Sequence, residues 1–256
     1  MIVMVLGTAS GFDQFAPSSS FLVDEDTLLD CGSGVETLPI ERLLKIQRLL
    51  LTHAHLDHCG ALPHLLACHA AHQGPGVTVY CMQETMDSLK QHMFNGQLSP
   101  DYSQLSNQDG EPLLRFFPVE VGDALPLPDG IATALPAQHN IPAIGWLIEG
   151  PWRALAYTGD TGPCPAFWHW AANVPSLSDV ICEVTYNSKH AVQAETEGHM
   201  TPALLRPMLE LLPANAHLWI SHLDSKQKDT ALSELRSYSP STINIAALLT
   251  DTCIDL

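Results

Sequence analysis

The run Thr52-His53-Ala54-His55-Leu56-Asp57-His58 carries three imidazoles and a carboxylate within six residues. Neutral imidazole and ionised carboxylate are the donors that Zn²⁺, Mn²⁺ and Fe²⁺ accept, so the chemistry on offer is metal-assisted. The run follows the apolar stretch Leu49-Leu50-Leu51, which reads as a strand ending at the cluster. Side chains alternate along a strand with period two, so His53 and His55 leave it pointing the same way. A polar loop with incidental histidines is the weaker account of so dense a cluster.

Three further candidates each stand where an apolar run stops. His139 follows the run from Ile131 to Pro136, Asp160 sits in Tyr157-Thr158-Gly159-Asp160-Thr161-Gly162, and His222 ends Leu218-Trp219-Ile220-Ser221. An acid or imidazole at the tip of an apolar strand is badly placed for packing and well placed for a site at a sheet edge. Taken singly, each has a plain alternative as a capping Asp or a surface His. Their order after the first cluster joins them to it.

The elements that must position these groups follow from the apolar pattern. Strands are expected at 1–6, 20–24, 27–30, 48–52 and 77–81, with a helix from Gly60 to His72 entered at Pro63 and another at about 82–93. The second half has strands at about 113–119, 131–137, 143–149, 152–158, 179–183, 216–221 and 243–248, and helices near 164–173, 202–212 and 226–237. Two halves of this kind, packed sheet on sheet with helices outside, make a four-layer αββα sandwich of the α/β class. No Gly/Ser or Pro-rich linker divides the chain, so residues 1–256 read as a single domain, and no internal repeat is visible. Residues 94–112 are long and aperiodic, and are expected to cover the site or to form a dimer contact. His64, His69 and His72 read as surface residues of the first helix. Phe167, Trp168 and Trp170 could stack a purine but read more simply as core.

With 46% hydrophobic and 15% charged residues the chain can bury a core. No run approaches eighteen apolar residues, so no membrane span is expected, and the opening Met1-Ile2-Val3-Met4-Val5-Leu6-Gly7 reads as a first strand rather than a leader. Seven cysteines without a Cys-x-x-Cys pair argue against a disulfide framework and for a reducing cytoplasm. A net charge of −17 with only eleven Lys and Arg repels polynucleotides. A small anion could still bind at a divalent centre, where the cations invert the local field.

The order His-x-His-x-Asp-His, then His, Asp and His at strand ends, resembles the metallo-β-lactamase fold superfamily along essentially the whole chain. The resemblance implies two divalent metals, zinc first with manganese or iron as alternatives. His53, His55 and His139 would hold one, Asp57, His58 and His222 the other, and Asp160 would bridge them. The two would lie about 3.5 Å apart and share a hydroxide suited to phosphoryl or carbonyl centres. Further segments are similar to class II cyclic-nucleotide phosphodiesterases. They are Ser18-Ser19-Ser20-Phe21-Leu22-Val23 with Leu28-Leu29-Asp30-Cys31-Gly32-Ser33-Gly34, then His92-Met93-Phe94-Asn95 with Pro100-Asp101-Tyr102, then Glu183-Val184-Thr185-Tyr186-Asn187, and Gly198-His199-Met200-Thr201-Pro202. Ala54 stands where that family usually has Ser.

This second resemblance implies hydrolysis of cyclic AMP, cyclic GMP or both to the 5′-monophosphate. Such a reaction needs a nucleophile in line with the departing ribose oxygen, charge neutralisation at phosphorus and a proton for the leaving alkoxide. Three residues are therefore expected to act in catalysis. Asp57 does so as a ligand, His199 as a proton donor outside the ligand set, and Glu183 by holding a ligand histidine or His199. The expected partner is a small anionic nucleotide rather than a polymer or membrane, with a homodimer left open. The alternatives are an endonuclease that processes tRNA 3′ ends, a thioester or lactone hydrolase, and last a non-enzymatic metal-stabilised binding module.

Overall fold

The computed structural model describes residues 1–11, 13, 16–238 and 243–256. The first half folds into β1 (Ile2–Gly7), β2 (Ser20–Val23), β3 (Thr27–Cys31), β4 (Arg48–Leu50), β5 (Val77–Cys81) and β6 (Leu114–Pro118). The second gives β7 (Ala124–Leu127), β8 (Gly130–Pro136), β9 (Ile144–Glu149), β10 (Ala154–Tyr157), β11 (Leu177–Glu183), β12 (His217–Ser221) and β13 (Asn244–Ala247), and β14 (Cys253–Asp255) returns to the first sheet. Among the described residues these make two seven-stranded sheets, ordered β14-β1-β2-β3-β4-β5-β6 and β13-β12-β11-β10-β9-β8-β7. In the first, β14 through β3 pair antiparallel and β3 through β6 parallel. In the second, β7 through β10 pair antiparallel and β10 through β13 parallel. The directional pattern thus repeats although the sequence shows no repeat.

Both sheets bury both faces, which is why β2, β3 and β10 are apolar without strict alternation. Val5, Phe21, Leu29 and Leu50 from one sheet meet Ala134, Trp146, Leu155 and Ile181 from the other in the central layer. Helices Leu62–His72 and Gln83–His92 cover the outside of the first sheet through Leu62, Leu65, Leu66, Met86 and Leu89. Helices Pro165–Ala172 and Lys228–Tyr238 cover the second through Phe167, Trp168, Ala171, Leu232 and Leu235. The αββα order expected from the sequence is the observed one.

Several local expectations are corrected. The helix expected over 202–212 is one α turn, Pro202–Leu205, followed by the 3₁₀ segment Arg206–Leu211, because Pro207 removes a helix donor there. A helix at Ala191–Glu197 and strands β7 and β14 were not expected. His69 is fully buried rather than on the surface: its Nε2 lies 3.1 Å from the Leu43 carbonyl, and Gly76 N–H donates to its Nδ1 at 3.0 Å. Phe167 and Trp168 are core, while Trp170 is 44% exposed. Segment 94–112 anchors Phe94 and Tyr102 in the outer core of the first sheet. No helix among the described residues is long and apolar enough to cross a membrane.

Candidate metal centre

The ends of both sheets that carry the carboxyl termini of β3, β4, β10, β11 and β12 meet at one place, where ligands gather in open α/β sheets. Beyond β4, His53 is fully buried, and His55 precedes the short helix Leu56–Cys59 that holds Asp57 and His58. His139 lies past β8 and Asp160 past β10. Gly159, with φ +59°, turns the chain between β10 and Asp160; a Cβ there would lie 2.8 Å from Thr52 Cγ2. His222, immediately after β12, itself takes a left-handed backbone with φ +57°. Such a conformation is uncommon outside Gly and swings the imidazole off the strand axis.

These seven side chains form two groups. In the first, His53 Nε2 and His55 Nδ1 are 3.1 Å apart, and His55 Nδ1 and His139 Nε2 3.2 Å apart. Asp160 Oδ2 lies 3.7 Å from His53 Nε2 and 4.0 Å from His139 Nε2. In the second, His222 Nε2 is 3.0 Å from Asp57 Oδ2 and 3.4 Å from Asp160 Oδ1, while His58 Nε2 is 3.1 Å from Asp160 Oδ1 and 3.9 Å from Asp57 Oδ2. Donors bonded at about 2.0–2.1 Å to one tetrahedral ion stand about 3.4 Å apart. Each group has that spacing, and each Asp160 oxygen belongs to a different group.

The electrostatics fit cations. Burial holds His53, His55 and His139 below the ordinary imidazole pKa, so their rings are neutral. His139 Nδ1–H donates to the Gly198 carbonyl at 2.8 Å, which leaves Nε2 as a bare lone pair aimed at two other imidazoles. Burial opposes charge on His58 as well, yet Asp160 and Asp30 hold its pKa well above the usual value. Positive charge is wanted at that point. His58 Nε2 and Asp160 Oδ1, both buried and 3.1 Å apart, make no aligned hydrogen bond to each other or to any other described group. Converging lone pairs and orphaned buried atoms are costly unless a cation takes them, so this donor set fits two divalent ions.

A carboxylate on each side aims the ligands. Asp30 is the extra residue of a bulge in β3, since Ser20 pairs with Cys31 and Phe21 with Leu29. Its φ of +55° re-aims the side chain inward. Its Oδ2 accepts from His58 Nδ1 at 2.7 Å and from the Tyr157 hydroxyl at 2.8 Å, and its Oδ1 from Thr52 N–H at 2.8 Å. Thr52 Oγ1, 3.0 Å from Asp30, in turn meets His53 Nδ1 at 2.9 Å. Glu183, at the end of β11, is built alike: Oε1 accepts from His199 Nδ1 at 2.7 Å and Oε2 from Thr185 Oγ1 at 3.0 Å. Thr185 Oγ1 meets His222 Nδ1 at 2.9 Å. Each carboxylate thus grips one imidazole directly and another through a threonine, an arrangement that fixes ring orientation and tautomer.

His199 stands outside both groups, its ring 5.0 Å from that of His139 and 5.5 Å from that of His222. Burial disfavours its charged form, but Glu183 more than offsets this and pushes the pKa up to about 9. Glu183 therefore favours the imidazolium form of His199, with Nδ1 committed to Glu183 and Nε2 free of it. Asp57, by contrast, has its pKa lowered by the His222 hydrogen bond and by His58 despite partial burial. Gly198, before His199, has φ +73° and passes so close to the His139 segment that a Cβ would lie 2.7 Å from Asn140 N. Only Gly delivers that carbonyl to His139.

Every site residue expected from the sequence lies in this one region. Asp30, Thr52, Tyr157 and Thr185 were not singled out as functional, although all four fall inside the segments quoted above. Asp30→Ala should leave the His58 Nδ1–H and the Tyr157 hydroxyl without acceptors, costing about 3–5 kcal/mol of stability and roughly 10–100-fold in metal affinity. Asp30→Asn should retain the packing and lose mainly affinity. Thermal melting and metal titration of both variants test this, and unchanged affinity in both would refute the role.

Fold and ligand set together define a metallo-β-lactamase-fold hydrolase whose two His/Asp groups fit a dinuclear metal site. Residues 26–222 match the beta-lactamase superfamily domain, and the chain belongs to that superfamily. Ribonuclease Z of Pyrobaculum neutrophilum is 28% identical over 245 residues, covering 79% of this chain and 77% of that protein. A probable 3′,5′-cyclic-nucleotide phosphodiesterase of Yersinia pestis is 27% identical over 181 residues, 65% of this chain and 51% of that one. The structure of unliganded yeast PDE1 superimposes on 100% of this chain, which covers 99% of it, with a TM-score of 0.82 at 15% identity, a likeness of fold.

Proposed function

We propose that the protein hydrolyses 3′,5′-cyclic nucleotides to 5′-monophosphates. The observation that carries this reading is the His199–Glu183 pair at 2.7 Å, a charged proton donor beside the ligand groups that is not needed to hold a cation. When bound, two divalent cations would lower the pKa of water toward neutrality and neutralise charge on phosphoryl oxygens. The seven residues that would hold them would set where the phosphate docks. As water attacks phosphorus, the new P–O bond forms in line with the bond to ribose O3′, which breaks. His199 gives its proton to O3′, and Glu183 keeps the ring turned and charged for that transfer. A thiolate leaving group would not need the donor, which favours an alkoxide.

The ribonuclease Z relative supports a second reading, cleavage of an RNA phosphodiester. The chain's net charge of −17 and eleven basic residues disfavour it, because polymer binding draws on Lys and Arg contacts to many phosphates. Protein reconstituted with Zn²⁺ or Mn²⁺ should convert cyclic AMP or cyclic GMP to the 5′-monophosphate faster than it cleaves a precursor tRNA, a lactone or a thioester. Intact cyclic nucleotides beside efficient cleavage of any of the other three would overturn the proposal.

A further inference from the structure

A cavity of about 590 Å³ opens beside the second ligand group, with Asp57 on its wall. That is the volume range of a small-molecule site. Leu56, 71% exposed, lies beside Gly60 and Ala61 on its apolar side. Ser18 and Ser33 also line it and are locked by reciprocal bonds: Ser33 N–H donates to Ser18 Oγ at 2.8 Å and Ser18 N–H to Ser33 Oγ at 2.9 Å. Glu36 also lines the cavity. Its Oε1 accepts from His64 Nδ1 at 2.8 Å in a solvent-exposed pair, while Oε2 takes no hydrogen bond from a described side chain. A cavity lined by a cation-ligand residue, an apolar patch and an accepting carboxylate suits a molecule with an anionic end, a flat apolar middle and a donor-bearing edge.

We propose that this cavity takes the nucleoside part of the substrate and that Glu36 reads the base edge, selecting guanine over adenine. The proposal rests on the phosphodiesterase reading for the identity of the substrate. An ionised carboxylate only accepts hydrogen bonds. Guanine offers it two adjacent donors, N1–H and N2–H. Adenine offers one, N6–H, and sets the N1 lone pair against the second oxygen. A site that pairs with such donors rejects the analogue lacking them far better than an apolar pocket can. The cavity beside the first ligand group is smaller, about 320 Å³, and has its own carboxylate in Glu195, which supplies the control.

The test measures turnover of cyclic GMP, cyclic AMP and bis(p-nitrophenyl) phosphate by metal-loaded protein, together with equilibrium binding of 5′-GMP and 5′-AMP. The wild type should favour guanine in both readouts by about 10–100-fold, the worth of a bidentate base contact. Glu36→Gln should erase that preference, because its amide can donate to adenine N1 and accept from N6–H. It should leave the baseless diester unaffected, and Glu195→Gln should change nothing. Equal or adenine-favouring preference in the wild type, or a preference that survives Glu36→Gln or moves with Glu195→Gln, would overturn the inference. Guanine-selective binding lost in Glu36→Gln, without turnover of either cyclic nucleotide, would uphold this base site and overturn the proposed reaction instead.

Discussion

Asp160→Ala should release both cations and abolish hydrolysis of every substrate, activated esters included. Asp160 is the one side chain shared by the two ligand groups, giving Oδ2 to the first and Oδ1 to the second. It is 2% exposed, and His222 and His58 hold its pKa well below the carboxylate range although burial opposes ionisation. The carboxylate is therefore charged and aimed before any ion arrives. Without it each group keeps three donors; the first keeps no anionic ligand and the second keeps only Asp57, so neither keeps its full complement of charge against a dication. The affinity loss should exceed the roughly 10–100-fold that follows from changing a residue behind a ligand. Activity should fall with metal content, since water freed from a cation returns from a pKa near 7 to about 15.7. Asp57→Ala is the comparison: it touches the second group alone, so stoichiometry should drop from two ions to one. Elemental analysis after dialysis separates the cases. Two ions retained by Asp160→Ala would mean that it does not bridge.

What the sequence made legible is set by how local the signal is. The cluster from His53 to His58 is contiguous, and His139, Asp160 and His222 each end an apolar run, so their places at strand ends follow from patterning alone. Glu183 could be read the same way. Asp30 could not, because Leu28-Leu29-Asp30-Cys31 looks like an uninterrupted strand. Its role depends on a bulge defined by pairing with β2, a non-local event. Thr52 and Thr185 are equally silent: a hydroxyl two bonds from the backbone becomes a relay only when a carboxylate and an imidazole arrive from other elements. His69 was misplaced because a histidine on a helix is polar by type, and its burial depends on the Leu43 carbonyl and the Gly76 amide that satisfy both nitrogens. The strand β7 was hidden by Pro126, which a sheet edge tolerates and β7 is that edge.

His199→Ala should keep both metals yet lose roughly 10²–10⁴ in turnover of a cyclic nucleotide, the usual worth of a positioned general acid. The loss should nearly vanish for bis(p-nitrophenyl) phosphate, whose p-nitrophenolate leaves without protonation. The pH profile gives an independent readout. His199 has its pKa raised, to about 9, so the donating imidazolium is present below that value and is lost as pH rises through it. Turnover of the cyclic nucleotide should therefore fall on the basic side, and two cations beside the ring would bring that limb somewhat below 9. His199→Ala should remove the limb for the cyclic nucleotide, and the activated ester should lack it even in the wild type. Glu183→Gln should move the limb to lower pH, because the charge that holds His199 protonated is gone while the ring keeps a neighbour of the same shape. His199→Asn, which can still bond Glu183 but cannot donate a proton to O3′, should resemble His199→Ala. A general acid predicts all of these together. Equal losses on good and poor leaving groups, with metals retained and the basic limb intact, would instead assign His199 to binding the phosphate through its charge.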